Sequence, residues 1–368
     1  MDPSLRATVK LLLVGHAIHP DRSLHEGVKG FATLLARTLA AAGHGCTVLS
    51  HDPGAKRAIR TFRDGAVRYH VVRWDPGRWD AEGWVLRWIA ARDRPDAVLA
   101  FGRVPRRLPP GFRGRIALWI YRSNGIEALE PSPEVVLIGE HERLVAALGA
   151  AHPSQAIVEI PPCVDVDAFT PRDSSGGVER FRVFFGSSPL PKHEPAEVEE
   201  RYLASRGVHT LLELVDALGP EGPVEVELLW RKDPTHIRSL TRDFPGVVRV
   251  HTEPIDDMNA HLERFDFCAA FYGDGDDTKA IPQNCLEALA KGIPLLTLCD
   301  TALGALIEKS GAGLVFEPQN WKAVGRRLGE LREDPGEYVA LARAARELAC
   351  RHFAPDVVAG RVLEVLSP

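Results

Sequence analysis

Short apolar runs, bounded by turn residues and separated by stretches of helical spacing, recur along the chain and constrain its fold more than any other feature. In the first half they cover 10–14, 46–49, 69–72, 97–100, 116–120 and 135–138. Between the first two, residues 31–42 carry apolar side chains at helical spacing, and Gly43-His44-Gly45 supplies the stop. Several runs are continuous rather than alternating. That suits parallel strands covered by helices on both faces.

The texture changes over 161–177, where prolines, aspartates, serines and glycines gather, making this the best linker candidate. A second series of runs follows at 182–185, 224–229, 247–250, 267–271 and 295–298, alternating with helical stretches such as 208–218 and 285–290. The stretch 337–366 reads as two helices separated near Ala354-Pro355. With 368 residues, 45% of them hydrophobic, the chain is too long for one ordinary core and far too apolar for disorder. The expectation is α/β: two Rossmann-like, doubly wound domains facing each other across a cleft.

A net charge of −5 argues against a protein that blankets nucleic acid, and no nucleic-acid partner is expected; a locally basic site remains compatible with it. The apolar run 11–14 breaks at Gly15, too short for a signal-peptide core or for the roughly 20 residues of a spanning helix. Six cysteines (Cys46, Cys163, Cys268, Cys285, Cys299, Cys350) are scattered without a C-x-x-C pair, which suggests neither zinc nor a disulfide framework. A cytoplasmic location is expected.

The phosphate loop, the G-x-G-x-x-G fingerprint, the G-x-S-x-G elbow and H-E-x-x-H are all missing. Three looser constellations stand in their place. Gly27 and Gly30 lie in the loop after the opening strand, where backbone could approach an anion, or where glycines simply serve turns. His16, His19 and His25 share that loop, but their irregular spacing argues against a metal site. Ser205-Arg206-Gly207-Val208-His209 reads as a helix start, placing Arg206 either beside a diphosphate or as a solvated first-turn arginine. The third runs from Asp274 through Asp276, Asp277, Thr278 and Lys279 to Ile281, Pro282 and Asn284, then to Glu287 and Gly292. Free N–H groups at that helix start favour phosphate, and Glu287 could accept hydrogen bonds from ribose hydroxyls. Asp274-x-Asp276 reads as a solvated loop rather than a metal–diphosphate motif.

Together these pieces resemble a retaining nucleotide-sugar glycosyltransferase of family 4 with the GT-B fold. The resemblance covers nearly the full length. It rests on the glycine-bearing first loop, on 160–169, on Phe185-Gly186, on 206–213, on 281–294 and on 311–318. It implies an acceptor-side domain over 1–168, a donor domain over 169–350 and a C-terminal helix, 351–368, crossing back to the first domain. It implies that Gly27 and Gly30 approach the donor diphosphate, that Arg206 takes the place of the family's phosphate-binding lysine, and that Glu287 holds the donor ribose. It further implies no cofactor and no obligatory metal.

Departures from the family pattern are specific. Lys279 stands where the first glutamate of the Glu–seven residues–Glu motif is expected, and Ser187-Ser188 replace an arginine. An insertion-like run over 191–200, with Lys192, reads as a solvated loop, and no acceptor-side histidine stands out in Trp119-Ile120-Tyr121-Arg122-Ser123-Asn124. The expected reaction moves a sugar from a UDP-, GDP- or ADP-sugar to an unidentified hydroxyl acceptor, with peripheral membrane contact if that acceptor is lipid-linked. Arg206, Lys279, Arg231 and the N–H groups near Gly27–Gly30 and 281–284 would stabilise the charge developing on the β-phosphate. A nucleotide-sugar-binding pseudoenzyme or partner subunit is the alternative, and a sugar-nucleotide epimerase a more distant one.

Overall fold

The computed structural model describes residues 8–16, 18, 20, 27–52, 55–73, 81–102, 112–172, 179–186, 196–231, 235–272 and 279–367. The chain divides into two compact units, one of residues 1–163 with 354–368, the other of 164–353. No helix among the described residues is long and apolar enough to cross a membrane.

The first unit is built on β1 (Lys10–His16), α1 (Gly27–Ala41), β2 (Gly45–His51), β3 (Ile59–Asp64), β4 (Val67–Val72), α2 (Ala81–Asp93), β5 (Ala97–Phe101), β6 (Arg115–Ile120), β7 (Val135–Gly139), α3 (Glu142–Ala151) and β8 (Ile157–Glu159). Its eight strands run in the order β3-β4-β2-β1-β5-β6-β7-β8. All are parallel except the β3 edge, which pairs antiparallel with β4. The continuous apolar run of β1 is explained by its two faces. Leu11 and Leu13 join the core that holds Phe31, Leu35 and Leu39 of α1, while Leu12 and Val14 join the opposite core with Leu86 and Ile89 of α2. The stop after α1 is as the sequence predicts: the His44 N–H returns to the Leu39 carbonyl, and His44 Nδ1 accepts from the Val9 N–H at 3.2 Å. The edge strand β3 was not among the sequence-predicted runs. Its residues, IRTFRD, are mostly exposed, so no buried face wrote a pattern into them.

The second unit follows with β9 (Phe181–Gly186), α4 (Ala196–Ser205), α5 (Val208–Leu218), β10 (Val224–Leu229), α6 (Thr235–Leu240), β11 (Val248–His251), α7 (Met258–Leu262), β12 (Phe267–Ala270), α8 (Gln283–Lys291), β13 (Leu295–Leu298), α9 (Ala302–Ser310), β14 (Gly313–Phe316), α10 (Trp321–Glu333) and α11 (Pro335–Leu348). The order is β11-β10-β9-β12-β13-β14, parallel throughout. The chain therefore starts in the middle, winds outward on one side, and returns to wind outward on the other. The reversal falls between β9 and β12. In sheets wound this way, ligands bind outside the carboxyl ends of the strands at that reversal.

Two segments differ from the sequence expectation. Residues 196–200, read as the end of a solvated loop, form the first half of α4. The start of the expected linker is packed rather than solvated: Pro161, Pro162, Cys163 and Val164 are buried. Beyond them Asp165 caps a 3₁₀ turn over Val166–Ala168, and Arg346 donates to the Val166 and Phe169 carbonyls at 2.8 and 3.2 Å. A composition rich in proline and aspartate marks irregular backbone, and irregular backbone can still be buried when side chains satisfy its carbonyls.

After α11 a π-helical turn over Ala349–Phe353 leads into α12 (Pro355–Leu366). Val358, Val362 and Leu366 of α12 enter the same core as α1, and Arg115 donates to the Val365 carbonyl at 3.1 Å. The last helix thus belongs to the first unit.

Candidate functional site

The carboxyl ends of β9 and β12 meet at Gly186 and at Phe271-Tyr272. The Tyr272 hydroxyl donates to the Gly186 carbonyl, and its ring stacks on Phe185 with centroids 6.0 Å apart. Burial holds the Tyr272 phenol protonated, its pKa far above the ordinary value. Gly186 is a close-approach glycine: a Cβ there would lie 2.6 Å from Asn284 Nδ2 and 3.1 Å from Asn284 Cβ. Asn284, in the first turn of α8, also reaches Cys268 Sγ at 3.8 Å. Below it, the Cys285 thiol is held far above its ordinary pKa by burial first and by Cys268 beside it second. Both sulfurs are fully buried, the setting of structural rather than reactive cysteines.

Arg206 directly follows α4, and its own N–H still bonds to the Tyr202 carbonyl. The expected helix start is therefore one step later: α5 begins at Val208 with Gly207 as its N-cap. Gly207 has φ +71°, and a Cβ on it would stand 2.1 Å from the Phe271 carbonyl oxygen, so the turn is wedged directly against the end of β12. Only 7% of Arg206 is exposed. Its Nη2 donates to the Tyr202 hydroxyl at 2.6 Å, and its guanidinium carbon lies 4.6 Å from the Tyr202 ring centroid and 5.8 Å from that of Tyr272. Among the described residues no carboxylate pairs with it, and Nε is buried without a partner. A buried, unneutralised guanidinium is costly unless an anion completes it.

The start of α8 supplies the next elements. Ile281 is buried, and Pro282, extended at φ −71° and ψ 147°, is the N-cap. The Cys285 and Leu286 N–H groups turn back to the Pro282 carbonyl, while those of Gln283 and Asn284 have no carbonyl within the helix and so favour an anion in front of them. Further along, Glu287 is half-buried. Desolvation pushes its carboxyl up to about 7, against the opposing pull of the Arg231 charge. Arg231 follows the end of β10, beyond buried Trp230. Its Nε and the Lys279 ammonium are both withdrawn from solvent. A strongly raised carboxyl beside a specific cation, Arg231, at a strand end has the character of a binding site rather than of a surface helix.

Arg206, Arg231, Lys279, Ile281, Pro282, Asn284 and Glu287 thus all belong to the second unit, on segments at or just beyond the carboxyl ends of β9, β10 and β12 or at the turns into the helices there. Gly27 and Gly30 lie in the first turn of α1, in the first unit. Asp274, Asp276, Asp277, Thr278, Ser187, Ser188, Lys192, His19 and His25 lie outside the described residues. Trp119 is fully buried and donates from Nε1 to Glu140 at 3.1 Å, while His141 caps α3 by accepting from the Leu144 N–H at 3.3 Å. No group of three or more histidines, cysteines or carboxylates able to hold a metal occurs among the described residues. Tyr202 and Tyr272 were not foreseen as site residues. The spacing of Tyr202 and Arg206, one helical turn apart, was the available signal, and it was obscured because 191–200 read as loop.

This architecture defines a class: two parallel-sheet α/β units matching the GT-B glycosyltransferase fold. Sucrose-phosphate synthase from Thermosynechococcus elongatus superposes with a TM-score of 0.70 at 12% identity, covering 97% of this chain and 98% of that one. WaaG, a glycosyltransferase involved in lipopolysaccharide biosynthesis, gives 0.67 at 14% identity over 97% and 99% of the two chains. HepE (Alr3699) of Anabaena, solved with UDP-glucose, gives 0.64 at 14% identity over 98% and 99%. No protein-family model matches the sequence, and no curated protein matches it significantly.

Proposed function

We propose that this chain is a glycosyltransferase of the family 4 type, moving a sugar from a nucleoside-diphosphate sugar to a hydroxyl acceptor with retention of anomeric configuration. The observation that carries the reading is Arg206: a buried guanidinium without a carboxylate partner among the described residues, at the point where the sheet reverses. A diphosphate there would receive charge-assisted hydrogen bonds from Arg206 and from the Gln283 and Asn284 N–H groups. Arg231 and Lys279 would add positive charge as the bond to the anomeric carbon breaks and negative charge builds on the β-phosphate. Glu287 would accept from the ribose hydroxyls. The departing phosphate would take the acceptor proton on the same face, so no separate protein base is required. With fixed cations and a helix N-terminus in this role, the reaction would proceed without a resident metal. The crystallisation of HepE with UDP-glucose supports a nucleotide-sugar donor. The cysteines are all unpaired, which agrees with a reducing, cytoplasmic setting.

The test is a thermal-shift and turnover screen of the purified protein with UDP-, GDP- and ADP-sugars. One donor class should raise the melting temperature and be consumed by slow hydrolysis, or faster with a hydroxyl acceptor. Tight binding without turnover under any condition would favour the pseudoenzyme, in which Lys279 marks lost chemistry. Failure to bind any nucleotide would overturn the site.

A further inference from the structure

We propose that Tyr202 is a second donor to the anion that Arg206 binds, and that it holds Arg206 in place without neutralising it. The inference rests on the nucleotide-site reading above and adds to it a residue outside the site expected from the sequence.

Three observations carry it. Tyr202 accepts from Arg206 Nη2 at 2.6 Å, and its ring lies 4.6 Å from the guanidinium carbon. The most economical way to hold a buried arginine is a carboxylate, and here a phenol takes that place. A phenol fixes the guanidinium by hydrogen bond and by cation–π attraction, yet leaves the full positive charge for a ligand. Tyr202 is only half-buried, and its own O–H finds no acceptor among the described residues. A hydroxyl that accepts from a cation is polarised, and its proton becomes a stronger donor. A phosphate oxygen placed to meet Arg206 would accept that proton as well.

The alternative is that Tyr202 merely packs. Tyr202→Phe separates the two because it keeps the ring and removes only the hydroxyl. Calorimetry would measure the affinity of wild type, Tyr202→Phe, Tyr202→Leu and Arg206→Ala for a nucleoside diphosphate, the matching nucleoside and inorganic pyrophosphate, with melting temperatures to confirm folding. Tyr202→Phe should weaken the diphosphate and pyrophosphate by about tenfold, the scale of one hydrogen bond to a charged group, and leave the nucleoside unchanged. Tyr202→Leu should lose more, because the cation–π support goes too. Unchanged diphosphate affinity in Tyr202→Phe, with a clear loss in Arg206→Ala, would overturn the role of Tyr202 alone. Equal loss for nucleoside and diphosphate would also overturn it, by showing a structural effect. If wild type binds no diphosphate, or Arg206→Ala binds as well as wild type, the nucleotide-site reading falls and this inference with it.

Discussion

The side chain of Asn284 fills the space that a side chain on Gly186 would need, with its Nδ2 2.6 Å and its Cβ 3.1 Å from where a Gly186 Cβ would sit. Because the Asn284 Cβ is part of the conflict, rotating the carboxamide away cannot relieve it. Gly186→Ala should therefore push the start of α8 off the end of β9, costing about 1–3 kcal/mol as overpacking does. Nucleotide affinity should fall with it. Urea denaturation and calorimetry measure the two effects. Replacing Asn284 by Ala in the same chain removes the 2.6 Å conflict but keeps the Cβ at 3.1 Å, so it should restore stability only in part and not restore affinity, a non-additivity expected of groups in contact.

The turn at Gly207 makes a stricter demand. Its φ of +71° is left-handed, and its Cα hydrogen points at a carbonyl oxygen 2.1 Å from where a Cβ would be. Left-handed backbone alone costs a non-glycine residue roughly 1–2 kcal/mol, and the collision with backbone cannot be relieved by a rotamer change. Gly207→Ala should be among the most destabilising single changes in the second unit, seen as low soluble yield or a sharply lowered melting temperature. A variant as stable as wild type would show that the turn can move away from Phe271.

His70 gives the first unit a dependence on acid. It is fully buried on β4, with Thr61 Oγ1 2.9 Å from Nδ1 and the Trp88 ring edge-on at 4.9 Å. Burial lowers its pKa from 6.5 to about 4; Asp93 opposes the shift, and Arg68 and Arg92 reinforce it. The unfolded chain therefore takes up a proton below pH 6.5 that the folded chain refuses until pH 4, so stability falls as pH drops through that window. His70→Leu should lose this component. The melting temperature of wild type should fall relative to that of His70→Leu between pH 6.5 and 4, and parallel curves would mean that His70 does not titrate as its surroundings dictate.

Most of the strands that were legible in the sequence have two buried faces; β11, read from the run 247–250, is only partly buried. Leu11 to Val14 send alternate side chains into two different cores, so the run is continuously apolar and cannot be mistaken for loop. The edge strand β3 buries almost nothing and left no trace. Arg206 and Glu287 were legible through their positions next to glycine and after Pro282. The local frame of Arg206 was not, because α4 ends one residue before it and the helix that carries Tyr202 has a mixed, weakly apolar sequence. Nor could spacing show that Phe271, 65 residues beyond Arg206 in number, presents the carbonyl against which Gly207 is wedged. Such tertiary contacts are set by sheet order, and short apolar runs do not reveal the order in which they pair.

Glu287 ties stability and binding together through one proton. Its carboxyl is pushed up from 4.5 to about 7, chiefly by desolvation. Between those values the folded protein keeps a proton that the unfolded chain releases, so stability falls as pH rises from 4.5 to 7 and the full penalty persists above 7. Glu287→Gln should match wild type near pH 4.5 and become the more stable of the two toward pH 8. Each kcal/mol of relief is worth about 2–4 °C in melting temperature for a domain of this size. Nucleotide affinity should move the opposite way. If ribose hydroxyls donate to Glu287, they bond more strongly to the ionised form, so wild-type affinity should rise through pH 7 relative to that of Glu287→Gln. Comparing the two proteins removes the pH dependence of the phosphates themselves, which both share. A variant that is more stable above pH 7 and binds nucleotide more weakly is the signature of a carboxylate kept for ligand at a cost to the fold. A variant with higher stability and undiminished affinity would remove Glu287 from the site.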